Sequence, residues 1–461
     1  MSSTSNKHSY NLSEGPIQKS LIRMTTPMII GMLMLFTFSL VDTLFISFLG
    51  TEALTAISFT FPVTFTIMSL AIGLGIGASA VVGKYLGRSE YEKAKEASTV
   101  INYISLLLAA IVVAVCWFFM DSIFHLMGAR ESLMPAIREY MFVWFPGSIM
   151  IVCIMTGNSI LRACGDTKTP SILMAAAGLI NAVLDPIFIF GLGPIPALGI
   201  QGAAWATVIA WGVSYFYLMY ILVIQKELVS GSLPSRPVMI SSGREMLRIG
   251  VPAAGANMMT PLAAGIMTAI AASFGDEAVA AFGVGARLEP MATLIVLAMS
   301  SSLPPLISQN FGAGKIGRVE EAYRLSIKFI LGWQMLVYVG LALGAGVIAS
   351  TFSDDPGVIE TIKLFLWVLP LGYGMQGIII LTNSSLNALH RPMSALYLSA
   401  ARFFVFYVPL AYVGSQWFGL AGFFGGALCG NLLMAAISLR SFNKAISRER
   451  ATLANSVENT A

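Results

Sequence analysis

Charge is what this chain has least of. Only 11% of its 461 residues are Asp, Glu, Lys or Arg, against about a quarter in a soluble domain. Hydrophobic residues make up 56% and mean hydropathy is +0.79. No soluble core needs that much apolar surface, so a string of soluble domains is excluded and the solvent is a bilayer. Histidine is nearly absent: His8, His125 and His390 lie far apart, and there is no HExxH or His-rich tract to hold a transition metal. The four cysteines, Cys116, Cys153, Cys164 and Cys429, form no CxxC pair. Inside apolar runs they act as small hydrophobes, and neither a disulfide nor a zinc site is expected. The leader Met1 to Gly15 has no apolar h-region and does not read as a cleaved signal. Gly312-Ala313-Gly314-Lys315-Ile316 is half of a P-loop without the rest, so ATP has no evident site. The net charge of +4 sits in loops and tails, which makes it a topology signal, and no nucleic-acid partner is expected.

What is present is a series of long apolar runs. They fall near 21–49, 54–82, 97–120, 135–163, 170–191 and 200–225, then near 247–273, 278–307, 321–351, 358–388, 394–415 and 419–440. The expectation is an all-α membrane protein of about twelve transmembrane helices. Residues 1–20 read as a cytoplasmic N-terminal tail, 21–225 as a first lobe of six spans, and 226–246 as a polar linker. Residues 247–440 read as a second lobe of six and 441–461 as a C-terminal tail. Basic residues crowd the even-side segments, among them Lys19, Arg23, Lys84, Arg88, Arg236, Arg244 and Arg440. The odd-side connections are short and nearly free of them, apart from Arg130 and Arg138, so both termini are expected in the cytoplasm.

The two lobes repeat each other. Pro252 stands 225 positions after Pro27, and Gly275-Asp276-Glu277-Ala278 follows Gly50-Thr51-Glu52-Ala53 at the same distance. Asn383-Ser384 follows Asn158-Ser159 likewise, while Gly419 and Gly422 follow Gly199 and Gly202 at 220. Six spans per copy put both copies in the membrane the same way up, as pseudo-symmetric lobes facing a central cleft. That geometry suits alternating access, and a pure scaffold has no obvious use for it.

An ionised carboxylate at mid-membrane costs at least about 2.5–3.5 kcal/mol, so such residues mark function by default. Asp42 in the first span and Asp185 in the fifth are two of them. Asn181 lies one turn before Asp185 on the same face, and Pro186 tends to free an upstream carbonyl, a further cation ligand. Two close carboxylates cannot both ionise cheaply: one holds a proton, or they share a hard cation such as Na⁺. The repeat carries Asp42 onto Met267 and Asp185 to the neighbourhood of Tyr407. A structural acid would recur in both copies, so the cation site is expected in the first lobe alone.

Other polar residues in the spans read more blandly. Arg287 and Glu289 diverge at i and i+2 and reach separate partners, while Arg402 and Lys363 lie near span ends and are expected to snorkel. Asn158 and Asn383 either bond across helices or face substrate. Gly73, Gly75 and Gly77 favour close helix packing. The abundant Met and aromatic residues either line an adaptable pocket or face lipid and core.

With Pro27 and Asp42 in the first span and Asn181-x-x-x-Asp185-Pro186 in the fifth, residues 20–440 resemble the multidrug and toxic compound extrusion (MATE) family. The sequence is most similar to its DinF-like prokaryotic branch, because the seventh span carries no acid of the kind the NorM-like branch uses. The resemblance implies that Asp42, Asn181 and Asp185 form the cation site, joined by Thr207 and the Ala203 carbonyl, with Na⁺ as an alternative to H⁺ on the same oxygens. It implies that the first span bends at Pro27 when Asp42 changes protonation, expelling substrate. Substrate is expected to contact Asn158, Asp42 and Asp185. The expectation is thus a monomeric, lipid-embedded antiporter of the bacterial inner membrane, not an enzyme. It would carry no cofactor besides the coupling ion, and would export amphipathic or cationic drugs and dyes. A lipid-linked precursor flippase of the same broad fold is the alternative, but few Arg or Lys stand in the spans to hold phosphate groups. An enzyme or a passive channel would need a reactive constellation or a filter ring, and neither is visible.

Overall fold

The computed structural model describes residues 11–458 apart from 233, and every regular element among them is helical. In order these are α1 (Ile17–Ser47), α2 (Thr51–Gly87), α3 (Tyr91–Phe118), a short α4 (Met120–Leu126), α5 (Met134–Ala163), α6 (Lys168–Phe190) and α7 (Gly199–Tyr220), which ends in a π-turn (Ile221–Gln225). Then come α8 (Arg236–Ala272), α9 (Asp276–Ala292), α10 (Leu294–Gly312), α11 (Ile316–Phe352) and α12 (Pro356–Val368). A 3₁₀ turn (Leu369–Gly372) leads to α13 (Tyr373–Ala388), and α14 (Pro392–Ala400) runs through a π-helical segment (Ala401–Tyr407) into α15 (Val408–Glu458).

Among the described residues ten stretches are long and apolar enough to cross a bilayer, and α9 with α10, bent by 45°, makes an eleventh. The stretch Pro392–Ala454 is one of the ten, yet it is broken at Phe418 and Gly419, where the backbone leaves the helical region. Its two pieces bring the crossings to the expected twelve. The bends have local causes. Pro290 removes a helical hydrogen bond in α9, and the Thr293 hydroxyl takes up the Glu289 carbonyl at 2.7 Å.

Three boundaries differ from the sequence expectation. The polar linker placed at 226–246 is non-helical at 226–232 and 234–235 and helical from Arg236, where α8 begins with Pro237 in its first turn, a position where the missing N–H is harmless. The tail placed at 441–461 is helical to Glu458 and is held by ion pairs of Glu449 with Arg391, at 2.7 Å, and of Arg450 with Glu320. The span placed at 358–388 is interrupted by the 3₁₀ turn containing Pro370.

The chain divides into two compact units. The first holds Thr26–Ala254, and the second Ser13–Thr25 with the residues from Gly255 onward. In the first, α5 is central and packs against α2, α3 and α7. Glycine sets the closest approach: a Cβ on Gly77 would lie 2.6 Å from the Met246 carbonyl of α8, and one on Gly75 would lie 2.6 Å from Ser159 Oγ of α5. In the second, α13 is central against α10, α11 and α15. Outer faces are apolar and exposed, as at Leu40, Leu343 and Val347, which is the surface lipid covers. The backbone repeats as the sequence does. The left-handed residues Gly50, Ser89 and Gly165 recur as Gly275, Gly314 and His390, and Gly199 recurs as Gly419.

Candidate ion-coupling site

The site begins with how α1 and α6 lie together in the first unit. Gly31 meets Ser171, where an added Cβ would come within 2.9 Å of the Ser171 Cα, and seven residues later Gly178 meets the Phe38 ring. Further along, Phe45 and Phe48 pack on Phe190 with ring centroids 6.3 and 6.5 Å apart. These contacts advance together along both helices, so the pair runs parallel and in one register. Asp42, one turn beyond Phe38, is carried by that register against Asp185, two turns beyond Gly178.

The two carboxyl groups are in hydrogen-bond contact with each other. Asp185 is fully buried, whereas Asp42 is half-buried. Asn181 Nδ2 donates to Asp185 Oδ1 and to Thr207 Oγ1, each at 3.2 Å, and the Thr207 hydroxyl donates to the Ala203 carbonyl at 3.0 Å. Close approach makes this possible: Gly202 of α7 touches the Phe188 carbonyl of α6, where any side chain would collide. Ala203 joins Ile46 and Ile189 in an apolar cluster that closes one end of the site. Asp42 Oδ1 and Asp185 Oδ2 are buried and meet no N–H or hydroxyl donor. Carboxyl groups bond to one another only when one carries a proton, so the arrangement is a proton-sharing pair.

The structure therefore brings together Asp42, Asn181, Asp185, Ala203 and Thr207. It adds Tyr140 of α5, half-buried and within electrostatic reach of both acids. Sequence reasoning passed over Tyr140, whose only signal was a phenol between Glu139 and an apolar run. Asn158 is not brought to the pair. It is buried on α5, 18 residues beyond Tyr140, or about 27 Å along the helix. Pro27 lies inside an unbroken α1.

Arg402 does not snorkel. It is 8% exposed, its Nε donates to Asn431 Oδ1 at 3.2 Å, and its guanidinium lies over the Phe403 ring at 4.7 Å. Glu289 accepts from Gln376 Nε2 at 2.6 Å, while Arg287 is exposed, so those two residues do diverge. Asn383 donates to Ser399 Oγ across helices at 2.9 Å. Lys315, in the half P-loop, donates to the Ser13 carbonyl at 2.9 Å.

Twelve bilayer crossings, an internal repeat and a buried acid pair confined to one copy define the class: a multi-pass membrane transporter. The MatE family model matches residues 27–187 and 252–413, two segments that start 225 positions apart. The chain belongs to the MATE family of transporters. It is 42% identical over 428 residues to the "FAD transporter" of Shewanella oneidensis, covering 93% of this chain and 95% of that protein. It is 26% identical to the "Multidrug export protein MepA" of Staphylococcus aureus, covering 93% and 94%. The crystal structure of the Vibrio cholerae MATE transporter VcmN in the bent form superposes with a TM-score of 0.90 at 33% identity, covering 94% of this chain and 98% of that one.

Proposed function

We propose that the chain is an antiporter of the bacterial inner membrane, of the DinF-like kind, exporting amphipathic and often cationic drugs and dyes in exchange for inward H⁺. The observation that carries this reading is the contact between the Asp42 and Asp185 carboxyl groups, where Asp42 Oδ1 and Asp185 Oδ2 are buried and meet no N–H or hydroxyl donor. Such a pair can take up and release a proton with little rearrangement, whereas a fully satisfied acid would have to break a bond first. The same oxygens with Asn181, Ala203 and Thr207 could hold Na⁺. The Ala203 carbonyl, however, already accepts from Thr207, and the contact of the two carboxyl groups with each other, which needs a proton between them, favours the proton.

A second proton on the pair replaces the charge-assisted bond between the acids with a weaker neutral one and so loosens the tie between α1 and α6. Proline at 27 removes one rung of the helical hydrogen-bond ladder, so α1 yields most easily there. Cargo competing for the first unit is released as the helix bends, and binding of cargo and proton bias opposite states of one equilibrium. No cofactor and no ATP enter this scheme. The chain works as a monomer surrounded by lipid, with both termini in the cytoplasm.

The relative named as an FAD transporter, at 42% identity, favours a second reading in which the cargo is a flavin nucleotide. Proteoliposomes decide between cargo and ion together. Ethidium and FAD are each loaded, and efflux is followed under an imposed ΔpH and, separately, an imposed ΔNa⁺. The proposal expects ΔpH-driven ethidium efflux with no response to ΔNa⁺. Efflux of FAD alone would replace the cargo assignment, and efflux under ΔNa⁺ alone would replace the ion.

A further inference from the structure

The repeat sets Asp42 against Met267 and carries Asp185 to the neighbourhood of Tyr407, and Met267 and Tyr407 both line one cavity of about 110 Å³ inside the second unit. The cavity is thus the second copy of the acid-pair site. Its acids are gone from the original positions, yet it is not apolar. Glu289 enters from α9, and Arg402 enters from the π-helical segment. A π-turn inserts an extra residue into the helix and rotates the side chains beyond it. The first unit has no π-turn at the matching place, since α6 is α-helical throughout.

We propose that Arg402 is a tethered counter-ion, filling in the second unit the place that the coupling cation takes in the first, so that this unit takes up no coupling ion. Three observations carry the assignment. Arg402 is nine-tenths buried, is anchored by Nε to Asn431 and by its guanidinium face on Phe403, and lines the cavity. Glu289 is fixed by Gln376 on one oxygen and shares the cavity with that guanidinium. The other titratable groups that face Glu289 are the phenols of Tyr373 and Tyr407, and Arg402 is the cation among them. A part-buried acid with a fixed cation in the same cavity has no need of a mobile one, whereas an acid pair with none must bind a proton or a metal ion. The two copies therefore divide the labour. One exchanges ions and the other is permanently neutral.

The inference rests on the first unit being the coupling site, and the test separates the two. Lipid-reconstituted protein is titrated, and infrared difference spectra between acid and alkaline buffer report carboxyl groups that gain a proton. In an otherwise native chain Glu289→Gln should leave the protonated-carboxyl bands unchanged, while Asp42→Asn or Asp185→Asn removes one. Arg402→Met should add a new band that is absent from Glu289→Gln/Arg402→Met, and Arg402→Lys, which keeps the charge, should add none. Loss of a band in Glu289→Gln alone, or no new band in Arg402→Met, overturns the proposal. Unchanged bands in Asp42→Asn and Asp185→Asn would instead overturn the first-unit reading and leave this one standing. Thermal unfolding gives a second check that does not depend on spectra. Each single neutralisation should lower the midpoint by several degrees and the double variant should recover most of the loss, because a lone buried charge is worse than none. Additive losses would contradict the pairing.

Discussion

Asn181 spends its amide on two neighbours, Asp185 and Thr207, and so decides which way Asp185 points. Asn181→Ala should leave the fold intact and lower ΔpH-driven efflux by roughly tenfold, the worth of about one hydrogen bond to a carboxyl group; efflux at the native rate would remove Asn181 from the site. Asp166, in the turn between α5 and α6, is a second residue with a readable role. It pairs with Lys226 at 2.7 Å and accepts from the Thr169 amide and hydroxyl at 3.0 and 2.7 Å. Burial raises the Asp166 carboxyl, but Lys226 and the two Thr169 bonds outweigh it and hold the pKa below the ordinary carboxylate value. A depressed folded pKa gives stability that is present above the unfolded value of about 3.9 and lost as pH falls through the folded one. Asp166→Asn should therefore cost about 1–3 kcal/mol at neutral pH, with the difference closing in strong acid, as thermal unfolding in detergent against pH would show. The two acids and Asn181 were legible from sequence because charge inside a span is rare. Tyr140 and Arg402 were not. A phenol at a span's start looks like any interfacial aromatic, and an arginine near a span end is expected to reach water unless a π-turn aims it inward.

At the scale of elements, glycine decides which helices can touch. Gly77 leaves no room for a side chain against α8, whereas Gly265, also within α8, has nothing within 4 Å of where a Cβ would stand. Gly77→Ala should destabilise by about 1–3 kcal/mol through overpacking, and Gly265→Ala should be neutral or stabilising by up to about 1 kcal/mol through helix propensity. Thermal unfolding of both variants checks the contrast. The small-residue spacing at 73–77 announced this contact, and sequence named the right mechanism. Helix breaks were harder to read. Pro370 and the Thr293 bend sit within apolar runs whose hydropathy continues across them, so a run reads as one span where the chain folds two helices. The helical continuation of 441–458 was missed for the opposite reason: its polar composition suits a solvated tail as well as a helix held by Arg391–Glu449.

For the whole molecule, the 225-residue register read from Pro27 and Pro252 reappears in the left-handed positions of the backbone. Repetition is the most legible property of the fold, because turn residues are forced wherever the chain reverses. The proposed orientation rests on Lys and Arg, and one of its exceptions is softened by the structure. Arg138 forms a two-point ion pair with Asp121 at 2.9 Å on both bonds, which holds that carboxyl below its ordinary value. With the four native cysteines replaced by serine, Ser232→Cys should react with a membrane-impermeant maleimide only from the cytoplasmic side, and Asp354→Cys only from the outside. The reverse pattern would invert the topology. How the molecule couples to its gradient turns on a single claim, that the proton moves through Asp42 and Asp185. Proton counterflow driven by ethidium in proteoliposomes, followed by a pH dye in the lumen, tests it most directly. It should be present in the wild type and absent from both Asp42→Asn and Asp185→Asn, and native counterflow in both variants would contradict it.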